Sequence, residues 1–413
     1  MQRFSTLFLL LLMIVFITAG CGATAETTTA PMQPTDTVPS DGTTEASTKT
    51  SDLAGANISD VFDKNAITAE MLNAANAYKD IYKTIEKKEY FNIAVIPTDN
   101  QMKEIVNRIG ALGYSVVSTD INMQNPDVVE QFCQKAKAGE NEQLGVYIVE
   151  SDASLERYTF IVVNGKTYFT CIAVTWDTSD QPQVQYSGMV EAVDKFELTS
   201  KGYFLFHVPF IDMYEDSSYG FRVSPLPDEN IELCKKYIEP IGYLGNNILT
   251  SNWNQETITE LNYNDMYEYI YRMEYKKCLE SDNYERYCSQ IVNAIAVPAT
   301  DFERIITKYF PISAQKLRQI SVYDPDKNVY TWQEFMVPQY EPKPEVVAYQ
   351  TNSDGSLTLT VDAVAIEYYD DCIFTDTLTV MPHEDGSFEY LSNSLKIFNS
   401  DCFPNYWPRV SKN

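Results

Sequence analysis

Apolar residues follow three different rhythms along this chain. Leu7–Ile17 is an unbroken apolar run, and no aromatic residue then occurs between Phe16 and Phe62. From there Ile67, Met71, Ala74, Tyr78, Ile81 and Ile85 recur at three- and four-residue spacing, predicting an amphipathic helix over Ala66–Lys88. An apolar run of strand length, Phe91–Ile96, is ended by Pro97. Asp99–Leu112 is helical by the same period, with Gly113 placed as its C-cap. Tyr114–Ser118 reads as a strand, Pro126–Lys137 as a helix and Leu144–Glu150 as a strand.

The period then changes to two. Arg157–Val163 and Lys166–Trp176 flank Asn164-Gly165, a strong hairpin signal. Gln183–Leu198 and Tyr203–Val208 extend an antiparallel meander that ends near Pro225-Leu226-Pro227. Helical spacing returns in Glu229–Ile238, Tyr263–Lys277, Asn283–Ala294, Ala299–Tyr309 and Ser313–Ile320. Strands close the chain: Val322–Tyr323 with Val329–Trp332, Val346–Gln350 with Leu357–Val364, and Ile373–Met381 with Phe388–Leu391.

The fold class is therefore α+β. About 355 residues follow the aromatic-free stretch, more than one core usually serves, so two domains are expected, 58–226 and 227–413. Helices followed by a curled antiparallel sheet suggest an NTF2-like cone for the second.

Leu7–Ile17 is too short to span a bilayer and has the length of a signal-peptide core. It leads to Ile17-Thr18-Ala19-Gly20-Cys21. Small residues followed at once by cysteine resemble the bacterial lipobox, with Thr18 where Leu is usual. The resemblance implies that residues 1–20 are a lipoprotein signal peptide and that Cys21 carries a diacylglycerol. Residues 21–57 then read as a tether. Gly22–Gly55 holds ten threonines and Pro31, Pro34 and Pro39, too little apolar surface to offset the entropy of ordering. As a flexible coil it spans on the order of 30 Å. The expected location is the extracytoplasmic face of the cell membrane, with the bilayer as a partner through Cys21.

A net charge of −27 argues against nucleic acid as a partner and against flat adsorption on anionic lipid, both of which need basic clusters. Of eight cysteines, the seven after Cys21 are widely spaced, with no C-x-x-C, so neither a metal nor another cofactor is expected. Cys278 and Cys288 are the one disulfide candidate.

Linear catalytic motifs are missing. The histidines, His207 and His383, have no partner at i+4, and no nucleophile elbow, P-loop or dinucleotide fingerprint occurs in the body. Ser313-Ala314-Gln315-Lys316 and Ser281-Asp282-Asn283 mimic penicillin-binding motifs in the wrong order and without K-T-G; Ser313 reads better as a helix cap. Asp324–Asn328 starts like an EF-hand loop, but Val329 and Phe335 stand where Gly and Glu are required. Glu367, Asp370, Asp371 and Asp376 crowd one connection, where a solvated loop competes with an acid–base pair. Tyr267, Tyr271 and Tyr275 lie beside Met266 and Ile270 on one helical face. Core packing explains such a stripe; alternatively its rim, with Trp253 nearby in sequence, offers aromatic platforms to a sugar or peptide.

Three blocks then carry a family resemblance. They are Tyr237-Ile238-Glu239-Pro240-Ile241-Gly242-Tyr243 with Asn246-Asn247 and Trp253; Val297-Pro298-Ala299-Thr300-Asp301-Phe302-Glu303 leading to Lys308-Tyr309-Phe310; and Pro344–Tyr349 with Asn352–Val364 and Asp385-Gly386-Ser387-Phe388. Together they resemble a family of Gram-positive bacterial lipoproteins known only as a domain of unknown function. The resemblance implies a location and a fold, with no site residues attached. The expected function is a ligand-binding or accessory protein of the cell envelope, acting on wall glycan or peptide. An envelope hydrolase using the paired carboxylates is the alternative.

Overall fold

The computed structural model describes residues 62–89, 93–186, 190–209, 217–279, 294–335 and 340–411. The leader, Cys21, the tether, Ser281-Asp282-Asn283 and Cys288 lie outside these, as does nearly all of the helix expected over 283–294. No helix among the described residues is long and apolar enough to cross a membrane.

The fold is α+β, with no closed barrel among the described residues. Its first half is built on a mixed sheet of order β4-β3-β5-β6-β7-β8, with β9 also pairing β7. The strands are β3 (Ser115–Ser118), β4 (Ile121–Gln124), β5 (Glu142–Val149), β6 (Leu155–Val163), β7 (Lys166–Trp176), β8 (Pro182–Tyr186) and β9 (Glu191–Val193). Asn164 and Gly165 both have positive φ, 51° and 72°, as the two-residue turn of the β6–β7 hairpin requires. β3 and β5 are parallel because helix α4 (Pro126–Lys137) crosses between them, so a parallel pair adjoins the expected antiparallel strands.

Each face of this sheet is covered. On one side Ile67, Met71 and Tyr78 pack with Ile105, Ile109, Tyr147 and Leu155, placing α1 (Lys64–Ala77) and α3 (Asp99–Ala111) there. On the other, α4 and a small antiparallel sheet enclose a phenylalanine-rich core; Phe160 meets Phe204 at 5.2 Å and Phe206 at 4.8 Å. That small sheet has the order β10-β11-β12, from β10 (Lys195–Leu198), β11 (Tyr203–Val208) and β12 (Ser217–Arg222).

One expected element takes a different form. The helix predicted over Ala66–Lys88 is α1, a short α2 (Lys79–Tyr82) and then β1 (Glu86–Glu89), which pairs with β2 (Ile93–Ile96). The helix breaks at Tyr78, whose φ is −123° and whose hydroxyl donates to the Ala153 carbonyl at 3.1 Å. Ile81 and Ile85 are buried all the same, so the apolar period persisted through a change of backbone. Gln183–Leu198, expected to extend the antiparallel meander, supplies most of β8 and all of β9 and β10, each pairing antiparallel.

In the second half, helices α5 (Asp228–Tyr237), α6 (Tyr263–Tyr275), α7 (Ala299–Tyr309) and α8 (Ala314–Ile320) pack on an antiparallel sheet of order β16-β17-β18-β19. Those strands are β16 (Lys343–Thr351), β17 (Leu357–Ala365), β18 (Asp370–Pro382) and β19 (Phe388–Ile397), and β-bulges interrupt all three pairings. A second small sheet, β13-β15-β14, is made by β13 (Ile295–Pro298), β14 (Tyr323–Asp324) and β15 (Val329–Trp332). Ser313 caps α8 by accepting from Lys316 N at 3.2 Å. One core runs through these elements.

The halves meet where the outer face of β10–β12 lies on β16 and β17. Tyr203 and Leu205 share a small apolar cluster with Val364, flanked by Ile366 and Tyr369. Lys195 sits over the Tyr369 ring at 3.8 Å.

Candidate functional site

The aromatic stripe of α6 divides between core and surface. Tyr267 is fully buried and stacks on Phe302 at 4.9 Å, and Phe302 stacks on Tyr330 at 4.0 Å and 8°. Trp253 is 3% exposed and donates its indole N–H to the Ile248 carbonyl at 2.8 Å. Neither ring presents a face to solvent, so the expected platform shrinks to Tyr271 and Tyr275. Their centroids are 4.6 Å apart, and Tyr275 is the exposed member.

This rim is assembled from α6 and α7. Arg304 lies over the Tyr275 ring at 5.8 Å and donates to its hydroxyl. Lys308 donates to Glu274 at 2.6 Å, and the Tyr309 hydroxyl donates to the same oxygen at 2.7 Å. Burial alone would raise the Glu274 carboxyl; Lys308 and Tyr309 outweigh it and hold the group below its usual range. Behind the rim, Glu303 accepts two bonds from Arg318, at 2.6 and 2.9 Å, and one from Tyr330 at 2.9 Å. The carboxylates here are paired one to one with cations, which leaves an edge of rings without surplus negative charge. Such an edge can bind; an acid kept ionised between Lys308 and Tyr309 is a poor proton donor.

Asp376 does not join the other carboxylates around residue 370. Asp376 points into the core and is fully buried, whereas Glu367 is exposed on the turn before β18. Asp370 accepts from Cys372 N and Asn399 Nδ2. Six strand positions separate Asp370 from Asp376, about 20 Å, too far for a shared glycosidic bond. The histidines have carboxylate neighbours, Asp194 at 2.7 Å from His207 and Glu389 at 3.8 Å from His383. Among the described residues no group of His, Cys, Asp and Glu is arranged to hold a metal ion. The Asp324 loop is a turn in which Asp324 accepts from Asp326 N and Lys327 N.

Two polar groupings escaped sequence reasoning because register, not spacing, assembles them. The first is inside the second half. Asp376 accepts from Asn393 Nδ2 at 2.8 Å, and the buried Tyr243 hydroxyl lies close enough to favour its charged form. Burial pushes the Asp376 carboxyl up to about 8. The second is on the main sheet of the first half, where Cys171 donates to Glu156 at 3.7 Å. Burial raises Glu156, and burial with the neighbouring Glu156 and Asp152 pushes Glu150 up to about 7.

Several of the sequence blocks quoted above resolve into packing. Asn246 is fully buried, donating to the Ile241 and Leu244 carbonyls and accepting from Ile248 N. Asn352–Ser356 is the β16–β17 turn, with Gly355 at φ 86°. These residues hold an irregular segment and a hairpin. Residues 64–409 match a family described as a Family of unknown function (DUF6070). The chain belongs to this family. The match spans both halves of the chain. No curated protein and no solved structure matches the chain.

Proposed function

We propose that this DUF6070 chain is a lipoprotein of a Gram-positive type of envelope, anchored through Cys21 on the extracytoplasmic face of the membrane, where it acts as a ligand-binding or accessory protein. The anchor reading is supported by the apolar run, the small residues before Cys21 and the threonine-rich segment after it. Two acyl chains suffice for stable anchoring, where one does not.

The observation that carries binding over catalysis is the rim of α6 and α7. There Tyr271, Tyr275 and Arg304 reach the surface of a helix pair whose carboxylates are already paired. Wall glycan or peptide is the ligand class this reading takes.

Replacing Cys21 with Ala tests the anchor: labelled palmitate enters the wild type and not the variant, and fractionation finds the variant released or unprocessed. Label in both sinks it. A thermal-shift screen against wall fragments tests the binding reading, with about 2.7 kcal/mol of stabilisation expected at a hundredfold excess of ligand over its dissociation constant.

A further inference from the structure

Strand register gathers three carboxyls on the face of the main sheet that supports β10–β12. Glu156 on β6 shares that face with Tyr158 two residues on, and accepts from the Cys171 thiol of β7 at 3.7 Å. Ile148 of β5 pairs with Glu156, so Glu150, two residues further, falls on the same side. Glu191 of β9 pairs with Phe169, which shares the face of Cys171. From the small sheet, Tyr219 of β12 stacks on Phe206 at 5.2 Å and lies 6.1 Å from Phe169. Tyr158 meets Phe206 at 6.0 Å, so the two sheets close over this group.

The cations of these strands are engaged elsewhere. Arg157 alternates to the opposite face and donates to Glu70 of α1. On the small sheet Lys195 lies over Tyr369, His207 is beside Asp194, and Arg222 donates to Glu345. Among the described residues no ion pair reaches Glu150, Glu156 or Glu191, and Asp152 adds a further carboxylate nearby. Burial raises Glu156 and Glu191, and burial with Glu156 and Asp152 brings Glu150 to about 7. Burial lifts Cys171, Tyr158 and Tyr219 as well, so the thiol and phenols stay neutral while the carboxyls titrate. All three glutamates are half-buried, so protons reach them without unfolding.

We propose that Glu150, Glu156 and Glu191 form a protonation-gated seat for β12. Protonated, they let the small sheet close over β6 and β7; ionised together, they repel in a poorly solvated space and loosen it. β12 is the strand that yields, because it is an edge of its sheet and pairs with β11 alone. An unfolded Glu titrates near about 4.3, so the folded group holds its protons more tightly. The seat is therefore complete below about pH 4 and is lost as pH rises through about 7.

Hydrogen exchange of the full-length protein tests this, read on residues 217–222 and corrected for the intrinsic effect of pH on exchange. Protection there is expected to fall on the order of tenfold between about pH 5.5 and about pH 8.5. The double variant Glu150→Gln, Glu156→Gln should keep its low-pH protection at the upper end. Asp376→Asn, in the second half, should respond as the wild type does. Protection in the wild type that does not change with pH overturns the proposal, whatever the variants do. A response that persists in the double variant, or one that vanishes in Asp376→Asn, overturns it as well.

Discussion

Glu345 on β16 accepts a 2.7 Å bond from Arg222 on β12, so a buried carboxylate of the second half is held by a guanidinium of the first. The Tyr203 hydroxyl donates to the other oxygen, and Lys343 stands 3.6 Å away. Breaking a buried pair from one side strands the other charge. Glu345→Ala is expected to cost about 3–5 kcal/mol, and Glu345→Gln, which can still accept from Tyr203, less. Urea denaturation followed by tyrosine and tryptophan fluorescence checks this. A midpoint unchanged in Glu345→Ala would mean that the two halves are not joined through this residue.

Asp376 makes stability depend on pH. Its folded carboxyl titrates near 8, above the unfolded value of about 3.9. The folded state therefore holds the proton more tightly. The stabilisation is complete below about pH 4 and is lost as pH rises toward 8, by an amount on the order of a few kcal/mol. Asp376→Asn keeps the shape and cannot ionise, so its melting temperature should vary less between pH 4 and 9 and exceed that of the wild type at the upper end. Parallel curves for the two proteins would rule this out.

Core and rim tyrosines of α6 should behave differently. Tyr267→Ala removes a fully buried ring stacked on Phe302 and is expected to cost about 3–5 kcal/mol. Tyr275→Ala exposes little and should stay within about 1 kcal/mol of the wild type, while weakening ligand binding at the rim. Thermal melts of both variants, paired with the ligand screen, separate the two roles. A large loss of stability in Tyr275→Ala would make that ring part of the core.

Limited proteolysis tests the division at Pro225-Leu226-Pro227. The threonine-rich composition of Gly22–Gly55 predicts the first cuts there, followed by cleavage around residues 225–227. The expected fragments correspond to 58–226 and 227–413. An early cut in the middle of either unit would count against two independently folded parts.

Much of the architecture was legible in the order of residues. The hairpin of β6 and β7 follows from period-two runs around Asn164-Gly165, whose turn type depends only on its own two residues. Helix α4 matches Pro126–Lys137, where Pro126 opens the helix and the apolar period runs on. Ser313 was readable as a cap because capping is local. The proposed anchor at Cys21 and the proposed tether rest on linear features alone.

Tertiary contact decided the rest. The apolar period that predicted one helix over Ala66–Lys88 was compatible with a helix, a break and a strand. Burial constrains which side chains face inward and leaves the backbone between them open. Core packing was the favoured reading of the stripe that holds Tyr267, and contacts with β19 and α7 show which rings, Trp253 and Tyr267, are sealed from water. Asp376 read as one of four loop carboxylates until the register of β17, β18 and β19 turned it inward. A strand alternates its faces with period two, and only pairing with its neighbours determines which face is sealed from water.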